Sequence, residues 1–147
     1  MQPENFFEDF KRDISYRIFK VEQEIALTAT LQDMFHDIFV EIRVNPENLM
    51  IISARADFLK HPSDFCAQID KAMTELVGEV ISKGINRRLI EIFGGSEGCG
   101  NIKTLLMGLL PLALNAKAAE GVKDKNQLLD NIRKELTGTC IGYPANY

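Results

Sequence analysis

The sequence of 147 residues contains 46% hydrophobic and 26% charged residues and carries a formal net charge of -4. This composition is typical of a soluble globular protein, and the length is that of a single domain, residues 1–147, with enough apolar surface for one core. The acidic balance argues against nucleic-acid binding, because domains that bind nucleic acid are usually basic. We therefore predict no nucleic-acid partner.

The first residues show no cationic stretch followed by an apolar run, so the sequence indicates no secretory signal. The longest apolar run, 105–114, is too short to span a bilayer and is interrupted by Gly108 and Pro111. We expect a cytoplasmic protein with no membrane partner. In a reducing compartment its three cysteines, Cys66, Cys99 and Cys140, would remain thiols.

Alternating apolar and polar residues predict three strands in the first half of the chain. Before them, residues 3–12 are predicted to form a short helix that packs onto the domain through Phe6, Phe7 and Phe10. The strands cover 14–32, 37–44 and 49–58, and a turn at 45–48 joins the last two. Their inward-facing residues are Ile25, Leu27, Ala29, Leu31, Ile38, Val40, Ile42, Val44, Met50, Ile52, Ala54, Ala56 and Phe58. The simplest pairing is an antiparallel meander with one face covered by helices.

Helical spacing of the apolar residues begins at Ser63, which can cap a helix. We predict four helices. The first runs from Ser63 to a break at Lys83-Gly84, and the others cover 85–93, 102–119 and 125–136, with a bend near Pro111 in the third. The first should bury Phe65, Ile69, Met73, Leu76, Val77 and Val80, and the last should bury Leu128, Leu129, Ile132 and Leu136. The fold class is therefore α+β, with a three-stranded antiparallel sheet followed by four helices that pack mainly on one face.

A glycine loop, residues 94–101, precedes the central helix and holds Cys99 between two glycines. The unpaired N–H groups and the dipole at a helix start favour a thiolate or a bound anion there. The loop has the outline of a phosphate loop, but Asn101 stands where the lysine should be. Looser capture of a carboxylate or phosphate is therefore favoured. The predicted ligand-binding residues are Gly95, Gly98, Cys99, Gly100 and Asn101.

Other interpretations of the same residues stay open. His36, Cys66 and Cys99 could converge on one metal or cluster, because thiolate and imidazole are the ligands that zinc and iron–sulfur centres prefer. Cys140 or Asp37 could supply a further ligand. Cys99 could instead be a nucleophile with His36 as its base. Without any such chemistry, the cysteines would pack as small hydrophobic residues in a structural or interaction protein. Such a protein could form a homodimer through an open sheet edge or through the amino-terminal helix. No catalytic residue is assigned.

Several of these residues resemble, in order and spacing, a bacterial family named domain of unknown function 2889. The resemblance covers about 31–118 and rests on His36-Asp37, Cys66 after a proline turn, Leu76-Val77-Gly78, Ile81, Gly84, Gly95 and Gly98-Cys99. The family typically reads Gly-Cys-Thr-His, whereas this chain has Gly-Cys-Gly-Asn, which weakens the inference of a shared metal site. The resemblance implies no activity. A fainter resemblance in fold is to iron–sulfur scaffold proteins of the NifU type, with Cys66, Gly78 and Cys99 at equivalent points.

Overall fold

A computed structural model of the protein describes residues 7–138 and 140–146. In this part of the chain a four-stranded antiparallel sheet is followed by helices, so the α+β class is confirmed. The strands are β1 (Asp13–Val21), β2 (Glu24–Gln32), β3 (Asp37–Val44) and β4 (Ile51–Lys60), in the order β1-β2-β3-β4. Each strand pairs with its neighbour in sequence, which is the predicted meander.

The segment predicted as one strand, 14–32, is a hairpin of β1 and β2, so the prediction of three strands is wrong. Val21 pairs with Glu24, and the two residues between them form the turn. Glu22 has a φ of 57°. Hairpin turns of two residues require a positive φ, which glycine or asparagine usually supplies. This turn contains neither, so the sequence shows none of the residues that usually mark a hairpin.

A β-bulge changes the inward face of β4. Arg43 pairs with Ser53, but the next residue, Val44, pairs with Ile51, so Ile52 is an extra residue on β4. A bulge of this kind resets the alternation of side chains between the two faces. The strand β3 needs no such correction, since its bounds and its buried residues are as predicted: Ile38, Val40, Ile42 and Val44.

The bulge explains why two predicted core residues are exposed. Met50 and Ile52 lie on the surface, and the buried residue at this position is Ile51. The prediction that Met50 and Ile52 face inward is therefore wrong. Beyond the bulge the original alternation holds, because the inward residues pack on the core or lie within it: Ala54, Ala56 and Phe58.

The helical half contains a 3-10 helix, Asp64–Ile69, and then α1 (Asp70–Glu75), α2 (Ile85–Phe93), α3 (Gly100–Leu109), α4 (Leu112–Ala119) and α5 (Lys125–Leu136). The helices α3 and α4 are two halves of the predicted central helix, interrupted at Pro111, because proline cannot donate the hydrogen bond that a continuous helix needs. Counted as one bent helix, they give four helices in the described residues. The Ser63 cap is confirmed, since its Oγ accepts a hydrogen bond from the Phe65 amide.

The first predicted helix is shorter than expected and exposes three of its predicted core residues. It ends at Glu75, and Gly78 with a φ of 93° turns the chain into an extended segment. In that segment the Ile81 amide donates to the Leu49 carbonyl at 2.9 Å. The exposed residues that were predicted to be buried are Phe65, Val77 and Val80.

The two ends of the described chain also differ from the predictions. Residues 7–12 form a turn and an irregular segment, so the helix predicted over 3–12 is wrong for these residues, whereas 1–6, including Phe6, lie outside the described part. The Phe10 ring nevertheless stacks on Phe35, with centroids 6.3 Å apart. At the other end α5 has the predicted bounds and Asp124 cap, but it buries none of its residues. The expectation that it buries Leu128, Leu129, Ile132 and Leu136 is therefore wrong.

The core lies between the inner face of the sheet and the helical half, and α3 with α4 form a large part of it. The helical residues that are fully buried there are Ile102, Leu105, Leu106, Leu109, Leu110 and Ala113. Tyr16 of β1 comes so close to α3 that a Cβ at Gly108 would overlap its phenol ring. Residues 100–119, with a mean hydropathy of 1.2, are long and apolar enough by length and composition to cross a membrane. Core helices of soluble proteins also meet that criterion, and here the segment packs against β2.

Candidate functional site

A cavity of about 280 Å³ lies where the end of β4, the 3-10 helix and the glycine loop meet. We call it the cysteine cleft, because Cys66 and Cys99 both line it. Its other lining residues are Phe58, Ser63, Phe65, Gln68, Ile69, Ser96, Glu97 and Gly98. The structure thus brings together two of the three residues that the sequence suggested as metal ligands. The wall combines thiols and aromatic rings with hydroxyl, carboxamide and carboxylate groups.

The glycine loop positions Cys99 through close backbone packing. A Cβ at Gly98 would overlap the backbone of Phe93, the last residue of α2, so only glycine fits where the loop folds back on that helix. The Gly98 amide donates to the Gly95 carbonyl at 3.1 Å. Cys99 is then the N-cap of α3, in an extended conformation, and its side chain makes no capping hydrogen bond. Of the predicted ligand-binding residues, Gly98 and Cys99 line the cleft, whereas Gly95, Gly100 and Asn101 are not among its lining residues.

The three thiols differ in their surroundings. Cys99 is half-buried and packs against the hydrophobic core. Cys66 is also half-buried, and its amide donates to the Ser63 carbonyl at 3.2 Å in the turn that starts the 3-10 helix. Cys140 is exposed and lies outside the cleft. Only Cys66 and Cys99 can therefore act together on one ligand.

His36 does not line the cleft and instead belongs to a closed ring of four side chains. Its Nδ1 lies 3.0 Å from Asp33 Oδ1, and its Nε2 lies 3.2 Å from Asn101 Nδ2. Arg12 closes the ring, because its Nε donates to Asp33 Oδ2 at 2.9 Å and its Nη1 donates to Asn101 Oδ1 at 3.1 Å. With the Asn101 amide donating to Nε2, the proton of a neutral His36 resides on Nδ1 and is donated to Asp33. We call this arrangement the Asp33 ring.

The carboxylate of Asp33 is the electrostatic centre of the ring. Its side chain has no exposed surface, and it also accepts hydrogen bonds from the amides of Phe35 and His36, each at 2.8 Å. Burial raises the pKa of Asp33, but the hydrogen bonds from the Phe35 amide, His36 and Arg12 outweigh it and lower that pKa to about 2. Asp33 is therefore ionised at neutral pH. The ring ties the segment before β1 and the β2–β3 turn to the first turn of α3.

The hypothesis of a metal shared by His36, Cys66 and Cys99 receives no support from this geometry. Both ring nitrogens of His36 are engaged in the Asp33 ring. Among the residues that the structure describes, no three His, Cys, Asp or Glu side chains are grouped so as to hold a metal ion. The same hydrogen bonds direct His36 toward Asp33 and Asn101, so the arrangement does not favour His36 as a base for Cys99.

Three residues near these sites carried no signal in the sequence. Arg12 and Asp33 are far apart in the chain, and only the fold brings them together. His61, which the sequence analysis did not single out, packs edge-on against Phe58 of the cleft with ring centroids 6.3 Å apart. Its Nδ1 is buried without a hydrogen-bond partner in the described structure. A buried polar atom without a partner is uncommon in folded proteins.

Comparison with known families matches residues 8–115 to a family described as Protein of unknown function (DUF2889). The chain belongs to this family. The DUF2889 match begins before β1, so the hairpin that the sequence pattern concealed is part of the family domain, whereas α5 lies beyond it. No curated protein and no solved structure matches the chain. The resemblance in fold to NifU-type scaffolds is not supported.

Asn101 of this DUF2889 chain makes two side-chain contacts within the protein. The Asn101 carboxamide offers an acceptor to Arg12 and a donor to His36 at the same time. Asn101 therefore completes the Asp33 ring, and its role in ligand binding stays a prediction.

Proposed function

We propose that this DUF2889 protein binds a small molecule in the cysteine cleft. The observation that carries the proposal is that Cys66 and Cys99, which come from separate segments, line one cavity of about 280 Å³. Small-molecule sites are typically concave and combine apolar walls with a few polar groups, as this cleft does. The buried and unpaired Nδ1 of His61, whose ring contacts the Phe58 side of the cleft, adds support.

The lining residues suggest the chemistry of the ligand. Phe65 is 71% exposed although it is a large aromatic residue, and with Phe58 it offers an apolar surface for a planar group. Cys99 stands at the start of α3, a ten-residue helix, where backbone N–H groups favour an anionic group. The proposed ligand is therefore a small planar molecule with a carboxylate, and the two thiols contribute soft, polarizable contacts.

Protection of the thiols from alkylation tests this proposal. Benzoate is the probe, iodoacetamide is the reagent, and mass spectrometry follows each cysteine over time. We expect benzoate to slow the alkylation of Cys66 and Cys99 together. Cys140 serves as the internal control, because it is exposed and lies outside the cleft. Unchanged alkylation of Cys66 and Cys99 at saturating benzoate would contradict a ligand of this class.

A pair of exposed apolar residues gives a matched comparison. Phe65→Ala removes an aromatic wall of the cleft, whereas Leu59→Ala removes an apolar side chain that is 74% exposed and does not line it. Neither side chain is buried, so neither substitution should change the free energy of unfolding by more than about 0.5 kcal/mol. Phe65→Ala should weaken protection by benzoate and Leu59→Ala should leave it unchanged. Equal effects of the two variants would show that the aromatic wall takes no part in binding.

A homodimer is a second candidate, favoured by one observation at the edge of the sheet. Ile14 and Tyr16 of the edge strand β1 lie on the sheet face that carries the core, but their exposed fractions are 39% and 38%. A second copy could cover this row by pairing along the edge. Sedimentation equilibrium would detect the dimer, and Ile14→Lys should dissociate it. A wild-type protein that stays monomeric at high concentration would remove this candidate.

A further inference from the structure

A larger cavity, of about 510 Å³, lies at the opposite end of the inner sheet face from the Asp33 ring. The hairpin of β1 and β2, the turn before β4, the end of α4 and helix α5 surround it. Its lining residues are Ile18, Phe19, Lys20, Ile25, Pro46, Asn115, Ala116, Ala119, Glu120, Gly121, Leu128 and Ile132. It shares no residue with the cysteine cleft. Its volume is in the range of sites for small molecules, and most of its lining side chains are apolar.

The cavity accounts for the incomplete burial of α5. This helix packs on α4, and its Leu128 and Ile132 line the cavity while the sheet residues Ile18 and Ile25 line it from the other side. The apolar face of α5 therefore faces a gap and not a filled core, which is why no residue of the helix is buried. An apolar molecule that covered this surface would gain about 25 cal/mol of favourable free energy for each Å² removed from water.

One cation stands at the sheet side of this apolar wall. Ile18 pairs with Leu27 and Lys20 pairs with Ile25, so Lys20 continues the inward-facing row of β1 at the point where the row reaches the cavity. In the described part of the chain no ion pair involves Lys20. Glu120 lines the same cavity from the end of α4 and would repel an anion on its own side.

We infer that this cavity binds an amphipathic carboxylic acid. The apolar body of the ligand lies between α5 and the hairpin, against Ile18, Ile25 and Ile132. Its carboxylate pairs with the Lys20 ammonium and stays away from Glu120. Binding fills the gap beneath α5 and so couples this helix more closely to the sheet.

Decanoate and decanol are the probes for this inference, because they share an apolar chain of similar length and differ in charge. Binding is measured by titration while the methyl resonances of the isoleucines are followed by NMR. We expect decanoate to bind more tightly than decanol and to shift the resonances of Ile18, Ile25 and Ile132. Lys20→Met should weaken decanoate binding about threefold, which is the size expected for one exposed ion pair, and should leave decanol binding unchanged.

Two further variants control for charge and for the cavity itself. Lys60→Met removes the same charge from the end of β4, outside the cavity, and should leave decanoate binding unchanged. Ala119→Phe places a ring in the cavity and should weaken the binding of decanoate and decanol alike. Thermal unfolding verifies that each variant is folded.

Three results would overturn the inference. The first is the absence of decanoate binding to the folded wild-type protein. The second is equal affinity of the wild type and Lys20→Met for decanoate. The third is binding that shifts residues of the cysteine cleft such as Ile69 and leaves Ile132 unmoved, because the ligand would then occupy the other cavity.

Discussion

Replacing Asp33 with asparagine tests the Asp33 ring most directly, because the two side chains have nearly the same shape. The asparagine oxygen can still accept hydrogen bonds from the amides of Phe35 and His36. Its Nδ2, however, would face Arg12, whose Nε and Nη2 lie 2.9 and 2.8 Å from Asp33 Oδ2. Two donors would then meet, and the guanidinium would lose its only charged partner in the described structure. The substitution therefore removes the electrostatic part of the ring and keeps its packing.

The size of the effect follows from the pKa of Asp33. That pKa falls from its ordinary value of 3.8 to about 2 in the folded protein, which corresponds to about 2 kcal/mol of stability at neutral pH. Solvent screening reduces the figure to about 1–2 kcal/mol, because the Arg12 side chain is 34% exposed. Since the pKa is lowered on folding, this stability is complete above the unfolded value and is lost as the pH falls through about 2.

Urea unfolding of the wild type and Asp33→Asn over a pH series is the assay. We expect the variant to be less stable by about 1–2 kcal/mol at pH near 7, and we expect most of this difference to vanish near pH 2. Asp57→Asn is the matched control, because Asp57 pairs with Arg55 on the exposed face at 3.4 Å and should contribute less than about 0.5 kcal/mol. A difference between wild type and Asp33→Asn that stays constant with pH would refute the account of the ring.

Four further substitutions test the fold, each by the free energy of unfolding in urea. Leu109→Ala should cost about 2–5 kcal/mol, because the side chain is fully buried; a loss below about 0.5 kcal/mol would mean that α3 is peripheral. Gly98→Ala should cost more than about 1 kcal/mol, since its Cβ would overlap the Phe93 backbone, while Gly95→Ala has open space and should be nearly neutral. Glu22→Asn should stabilise the hairpin by about 0.5 kcal/mol, because asparagine tolerates a positive φ; a loss of stability would contradict the assigned turn.

The elements that the sequence predicted correctly are those with marked ends. The strand β3 alternates strictly and stops at a turn rich in asparagine and proline. The helix α2 ends just before Gly94, and α5 begins just after Asp124. The hairpin at Glu22 was missed because its turn lacks glycine and asparagine. The bulge at Ile52 was missed because a bulge depends on how two strands pair, and one strand's pattern does not contain that information.

The sequence predicted the cysteines of the candidate site but not the polar residues around His36. Cys66 and Cys99 were grouped as thiolate ligands, and they do share a cleft. His36 was grouped with them on residue type alone. The geometry assigns it instead to Arg12 and Asp33, whose contacts join distant segments and have no sequence period that would reveal them.

The central claim is that Cys66 and Cys99 face one small cleft that a ligand can enter. Native-state labelling of a Cys140→Ser variant, with intact mass recorded over time, tests it most directly. Iodoacetamide, a small reagent, should modify both remaining cysteines in the folded protein. N-(1-pyrenyl)maleimide should modify only one cysteine per molecule, because a cavity of about 280 Å³ has no room for two pyrene groups. Independent double labelling by the large reagent, or thiols that react with neither reagent until denaturant is added, would contradict the claim.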